Sequence, residues 1–276
     1  MANFLRCAIL PGVMRIGFWW ISVYTLKVAA GTLVAGAWLW QRAPRAGFDR
    51  RTMRPWILGM ALAALIGGRV GYALGNITYF AQHPVLLLRL DRVGGLHGSS
   101  AMIGVLLVAG LWAAVKRHPM VAVVSFLSPA VLFVVAGAWW GCIDAGCAWG
   151  RETLAAADGA QWLTALLPDI YQTVTLRYAV QAIGGVWALT LALLAIVLGK
   201  HGGLALALYW FGSAGLTLLR ADPVPKWDTM RLDTGLDLIL AIGIVLLMLI
   251  TDRDAKPKIR QVFYKHRKSG KIRSVQ

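Results

Sequence analysis

The side chain best suited to move a proton in this chain is His97, in the run Gly94-Gly95-Leu96-His97-Gly98-Ser99-Ser100. Histidine changes charge near neutral pH without help, so it can act as a general base or as a hydrogen-bond donor. The glycines around it let backbone N–H groups and a ligand come close. Ser99 and Ser100 could equally cap a helix that begins there, which would leave His97 as a polar residue at a helix start. Arg69 lies inside the apolar run containing Gly67-Gly68-Arg69-Val70-Gly71-Tyr72. A guanidinium keeps its charge in a protein, so it must find a carboxylate, carbonyls, water or a phosphate. Arg69 therefore either holds a lipid phosphate or ties a helix bundle together from within. The segment from Trp139 to Glu152 carries Cys142, Asp144, Cys147 and Arg151. Its two cysteines are five apart, not the spacing of redox or zinc pairs. A disulfide between them suits an oxidising face, but two small buried hydrophobes is the preferred reading. Two more cations stand at helix ends. Arg177-Tyr178-Ala179-Val180-Gln181 opens one apolar run, and the stretch from Tyr209 to Arg220-Ala221-Asp222-Pro223 closes another. Arg220 is expected to snorkel toward headgroups or to pair with Asp222.

The elements that position these residues are membrane helices. Of 276 residues, 58% are hydrophobic and 14% charged, and the mean hydropathy is +0.64. Soluble domains run at about 45–50% apolar and about 25% charged, so a water-soluble globule, a disordered chain and a disulfide scaffold are excluded. The thirty glycines and thirteen tryptophans suit a bilayer, since glycine is frequent in membrane helices and tryptophan collects at the interfaces. About 20 apolar residues cross the hydrocarbon core as a helix. Seven spans are expected, near 18–40, 56–80, 98–115, 120–141, 178–199, 203–219 and 235–251, the third and sixth being short. The chain is thus an all-α polytopic bundle. Met1–Gly17 is too weakly apolar for a secretory signal and reads as an interfacial segment. The long connection over 142–177 is expected to hold a short surface helix above the mouth of the bundle. No internal repeat is visible, which disfavours an inverted-repeat transporter.

Charge sets the orientation. The net charge is +16, which by itself raises nucleic-acid binding. The basic residues, however, punctuate apolar runs, so no nucleic-acid partner is expected. Arg42, Arg45, Arg50, Arg51, Arg54, Lys116, Arg117, Lys200 and the nine basic residues of the tail fall on one side. Most of the acids fall on the other, among them Asp91, Asp144, Glu152, Asp158, Asp169, Asp222, Asp228 and Asp233. By the positive-inside bias the N-terminus lies outside and the C-terminus inside. Residues 1–251 then form the membrane domain and 252–276 a basic cytoplasmic tail that fixes topology or lies on anionic headgroups.

Taken together, the GGRVGY span, the Asn76, Phe80 and Pro84 loop, the GGLHG turn before Ile103-Gly104-Val105, and Gly141, Gly146 and Gly150-Arg151 resemble prolipoprotein diacylglyceryl transferases. The resemblance covers roughly residues 18–250. It implies a multi-pass protein of the bacterial inner membrane that moves diacylglyceryl from phosphatidylglycerol to the lipobox cysteine thiol of a prolipoprotein. Position by position, it makes His97 and Tyr24 catalytic, and gives Arg69, Arg151, Gln181, Tyr209 and Arg220 to phospholipid. The family pattern is altered at Trp139, Cys142, Cys147, Ser213 and Thr217, where it carries arginine, asparagine, glutamate, arginine and glutamate.

The implied reaction needs no cofactor and no metal. The nucleophile is a thiolate, so a base must take the thiol proton, and His97 is the candidate. The departing glycerol phosphate gathers negative charge, which Arg69, Arg151 or Arg220 would offset; one such donor is typically worth about 10²–10³ in rate. The alternative is a protein of the same fold that binds lipid and has lost the reaction. Phosphatidylglycerol, prolipoprotein signal peptides and the membrane are the partners implied.

Overall fold

In a computed structural model of the chain, the residues described are 13–16, 19–89, 95–153, 161–169, 171 and 173–269. Arg6, Cys7, Asp91, Arg92, Gly94 and Asp158 lie outside them, as do the side chains of the basic tail. A hairpin of β1 (Val13–Ile16) and β2 (Trp19–Ser22) leads into α1 (Val23–Arg42). The Ser22 hydroxyl accepts from the Thr25 N–H at 3.1 Å and so caps that helix. α2 (Arg50–Gly75) starts six residues before the expected apolar run. Asp49 caps it, accepting from the Thr52 N–H at 3.0 Å, so the arginine-bearing residues 50–55 belong to the helix although they look like loop in sequence. A short α3 (Ile77–Gln82) follows.

Next come α4 (Gly98–Lys116), α5 (Met120–Ala145), α6 (Val180–Leu198), α7 (Gly202–Thr217) and α8 (Leu232–Ser269). α6 and α7 form one apolar stretch of 38 residues broken at Gly199–His201, and they pack on each other as a hairpin. α1, α2, α4, α5, α6, α7 and α8 are the seven long apolar helices of a membrane bundle. Leu33, Leu62, Leu107 and Val197 are exposed on their outer faces. In lipid such positions need no cover, whereas every backbone group must be paired within the helix.

α5 is the axis. Of its most apolar window 61% is buried, against 11% for α1. One hydrophobic cluster lies between α5 and helices α1, α2 and α4, around Leu39, Met60, Trp112 and Phe126. The other lies between α5, α6, α7 and α8, around Leu132, Leu191, Leu206 and Ile244; α4 contributes only Met102 to its buried set. α2 and α4 pack tightly as a pair. A methyl group on Gly67 would sit 2.6 Å from the Ser100 carbonyl oxygen, and one on Gly104 would overlap the Ala63 carbonyl. Small residues are what allow two membrane helices to approach this closely.

The connection between α5 and α6 differs from expectation. Its described part after residue 160 is one 3-10 turn, Gln161–Leu163, and a hairpin of β3 (Thr164–Pro168) and β4 (Val174–Tyr178). The expected surface helix is not among these residues, and 154–160 lie outside the described part. A third small hairpin, β5 (Lys226–Trp227) with β6 (Met230–Arg231), joins α7 to α8.

Candidate active site

One end of the bundle gathers the buried charge. Residues 149–152 run as a bridge between the exit of α7 and strand β4. The Arg151 N–H donates to the Leu219 carbonyl at 2.8 Å, and Ala221 N–H to Trp149 at 2.9 Å. On the other side Tyr178 N–H donates to the Arg151 carbonyl at 3.1 Å. Arg177 is the fastener beneath: it is buried and reaches Glu152 at 2.9 Å and Asp169 at 3.1 Å. This stitching brings Arg220 to the start of α8. Its guanidinium makes a two-point contact with Asp222, at 2.8 and 2.6 Å, and reaches Asp233 at 3.1 Å. Arg231 bonds the same two carboxylates at 3.2–3.3 Å. Two arginines and two aspartates thus close a four-membered ion cluster. Fork-to-carboxylate geometry of this kind is both strong and directional.

His97 faces this cluster from α4. Burial and the Arg220 charge lower its pKa below the ordinary 6.5, against the pull of Asp233. It is the N-cap of α4: Nδ1 accepts from the Ser100 N–H at 3.3 Å and lies 2.8 Å from the Ser100 Oγ. With Nδ1 accepting, the neutral ring carries its proton on Nε2 and presents a donor. With the proton on Nδ1 and donated to Ser100 Oγ, Nε2 is free as a base. Ser100, a hydroxyl that donates or accepts, serves both tautomers. The His97 N–H also donates to the Gly68 carbonyl at 2.8 Å, which ties the turn to α2.

Below the ion cluster lies Asp237, one helical turn further along α8 and 3% exposed. Its two oxygens accept from the Ser99 hydroxyl at 2.6 Å and the Ser213 hydroxyl at 2.7 Å. Thr217 and Thr234 share a hydroxyl contact at 2.5 Å beside it. Asp237 and Arg231 escaped the sequence reading. The signal was present, since a lone carboxylate in an apolar run is a functional candidate by default.

The other expected residues fall around this centre in different states. Arg69 is 6% exposed and donates to the carbonyls of Leu87, Gly95 and Leu86 at 2.8, 3.1 and 2.7 Å. Its charge also lies over the Phe80 ring at 5.1 Å. Of the two readings for Arg69, these contacts are those of an internal tie. Tyr209 is buried and its hydroxyl accepts from the Trp139 indole N–H at 2.9 Å. Tyr24 packs over Gly141, where a methyl group would sit 2.7 Å from its ring. Lys27, one turn on, pairs with Asp144. Gln181 is 1% exposed and donates to the Cys147 carbonyl at 3.1 Å, while its Oε1 has no partner among the described residues. The Arg151 side chain is exposed at the rim. Cys142 and Cys147 are joined by a disulfide. This corrects the reading of them as two free hydrophobes: the turn at Gly146 folds the end of α5 back, with Cys147 N–H on the Cys142 carbonyl at 3.1 Å, and that fold brings the two side chains together.

A family model for prolipoprotein diacylglyceryl transferase matches residues 11–251. This chain belongs to that family. The match reaches all seven long helices, taking in the last as far as residue 251, and covers both halves of the site. Among curated relatives, a phosphatidylglycerol–prolipoprotein diacylglyceryl transferase of Polynucleobacter asymbioticus is 33% identical over 151 residues, 52% of this chain and 57% of that protein. One of Aliivibrio fischeri is 30% identical over 148 residues, 52% of each chain. One of Xylella fastidiosa is 36% identical over 93 residues, 33% of this chain and 31% of that protein. The chain thus spans about half the length of the curated relatives it matches.

Proposed function

We propose that this protein transfers diacylglyceryl from phosphatidylglycerol to the lipobox cysteine of a prolipoprotein, at the outer face of the bacterial inner membrane. The family match over residues 11–251 carries the reading. In this orientation the His97 end faces outward and the arginine-rich end faces the cytoplasm. Residues 1–251 are the transferase unit and 252–276 the cytoplasmic tail. His97 Nε2 takes the proton of the incoming thiol while Nδ1–H is held by Ser100. The sulfur bonds to the glyceryl carbon as the carbon–oxygen bond to phosphate breaks, and the electron pair leaves with glycerol phosphate. The rim residue Arg151 faces the phosphate, Arg220 lends it positive charge from within the ion cluster, and Gln181, Tyr24, Tyr209 and Arg69 hold the walls.

A second reading has a specific observation behind it. Arg69, Arg177, Arg220 and Arg231 all have their guanidiniums on protein oxygens. A leaving phosphate must compete with carbonyls and carboxylates already in place, which favours a protein that holds lipid by its apolar chains and does not turn it over. Complementation separates the two. The chain is expressed in a bacterium depleted of its own diacylglyceryl transferase, and a reporter lipoprotein is followed by mass spectrometry. Transfer predicts a diacylglyceryl-bearing cysteine that His97→Gln abolishes. Turnover should also fall on acidification only below pH 6.5, because His97 titrates below its ordinary value. An unmodified cysteine, with the protein folded in the membrane, favours the lipid-binding reading. Undiminished turnover in His97→Gln sinks His97 as the base.

A further inference from the structure

Asp237 is the buried carboxylate that the proposed reaction does not use. It lies in Leu232–Ile250, a helix stretch of mean hydropathy 2.2. Both of its oxygens are occupied by hydroxyls, and among the described residues no lysine or arginine nitrogen pairs with it. An ionisable group in such a place is costly and persists for a reason other than packing, since apolar residues of similar size would pack as well or better.

Its partners show the reason. Ser99 is on α4, Ser213 on α7 and Asp237 on α8, so one carboxylate joins three helices. Those helices belong to two parts of the bundle. The α2/α4 pair carries Arg69 and ends at His97. Arg220 follows the end of α7, and Asp233 opens α8. The contact between α4 and α8 is short, and the core around α6, α7 and α8 takes only Met102 from α4 into its buried set. Apolar contacts are non-directional, whereas two short hydroxyl–carboxylate bonds fix a register. Ser99 is two residues from His97, and Asp237 is one helical turn from Asp233.

We propose that Asp237 is a positioning residue: through Ser99 and Ser213 it sets His97 against the Arg220–Asp233 pair. Its kinetic consequences rest on the transferase reading; its structural consequence does not. The change is therefore read twice, on the full-length protein in nanodiscs, with Asp237→Leu, Asp237→Asn and Ser99→Ala.

The first readout is hydrogen exchange of the peptide covering residues 96–106. Asp237→Leu and Ser99→Ala should speed exchange there by roughly tenfold and leave α5 unchanged, because the loss is local. Unchanged exchange over 96–106 in both variants overturns the proposal, whatever the protein's activity. The second readout is transfer kinetics. A small misplacement of a reacting group costs up to about a hundredfold in rate. Asp237→Leu should lower kcat by about ten- to a hundredfold with KM for phosphatidylglycerol within about twofold. Asp237→Asn, which keeps the shape and an acceptor oxygen, should recover much of that loss. A merely structural role would lower folded yield yet leave kcat of the folded fraction intact, and that result also overturns the proposal. If the wild-type protein transfers nothing to any acceptor, the transferase reading fails, and the exchange readout still decides the role of Asp237.

Discussion

The two ends of this bundle use arginine in opposite ways. At the His97 end, Arg69, Arg177, Arg220 and Arg231 are buried or nearly so, and each is held by carbonyls or carboxylates. At the other end, Arg42 lies over the Trp38 ring at 4.8 Å, and Arg50 and Arg54 lie over Trp40 at 5.0 and 4.7 Å. There Arg45, Arg51, Arg54 and Arg117 are exposed. Buried guanidiniums with fixed partners are scaffold before any lipid arrives. Exposed ones on aromatic rings form a cationic layer at the depth of the headgroups. The count of arginines near a site therefore says little about its appetite for phosphate; what matters is how many of their N–H groups are already spent.

The sharpest break in this comparison comes from Arg220→Met. It leaves Asp222 and Asp233 with Arg231 alone, and their side chains are only 11% and 6% exposed. Removing one partner of a buried ionic cluster costs about 3–5 kcal/mol. The thermal midpoint in detergent should fall steeply and folded yield should drop. If stability hardly moves, the cluster is not scaffold, and Arg220 is held available for a ligand instead.

The disulfide tests the same contrast with a smaller effect, because it is another fastening confined to the His97 end. It closes a loop of sequence separation 5, and a loop that short gains about 2 kcal/mol from the cross-link. Reduction, or Cys142→Ser with Cys147→Ser, should lower stability by about that much. It should also loosen the Cys147 carbonyl that Gln181 holds. The check is unfolding of the purified protein with and without a reductant. Equal midpoints would mean that the Gly146 turn holds itself.

The contrast also explains what was legible beforehand. The seven spans stand out because a helix in lipid must be apolar all round, and that leaves a run no loop imitates. The start of α2 was hidden because Arg50, Arg51 and Arg54 look like loop, while their stems cover the interface and Asp49 caps the first turn. His97, Arg69 and Arg220 were legible as expensive groups in apolar surroundings. Asp222 was legible too as a partner of Arg220, two residues away, and the structure shows that pair; the partners of Arg69 were not, because three of them are carbonyls, which every sequence offers and none advertises. The Cys142–Cys147 bond depends on a left-handed turn at Gly146, which spacing alone does not reveal. The β3/β4 hairpin went unread because Arg177, with Asp169 and Glu152, binds a segment whose own pattern is weak. Asp237 was missed because its meaning lies in two serines 138 and 24 residues away.

The smallest effect belongs to the other end. Arg45, Arg51 and Arg117 are exposed, so replacing each by glutamine should change folded stability by no more than about 0.5 kcal/mol. Their contribution should surface only against an anionic membrane, where each basic residue near the surface is worth about 1 kcal/mol and salt screens the attraction. The triple variant is therefore expected to unfold like wild type in neutral detergent. In vesicles containing phosphatidylglycerol it should lose part of the extra stabilisation that wild type gains over phosphatidylcholine vesicles. That gain should shrink in wild type as salt is raised and change little in the variant. Arg220→Met should behave in the opposite way, with a loss that neither salt nor lipid charge restores, because its partners are buried within the protein. A salt-sensitive loss at Arg220, or a large salt-insensitive loss at Arg51, would erase the distinction between the two ends.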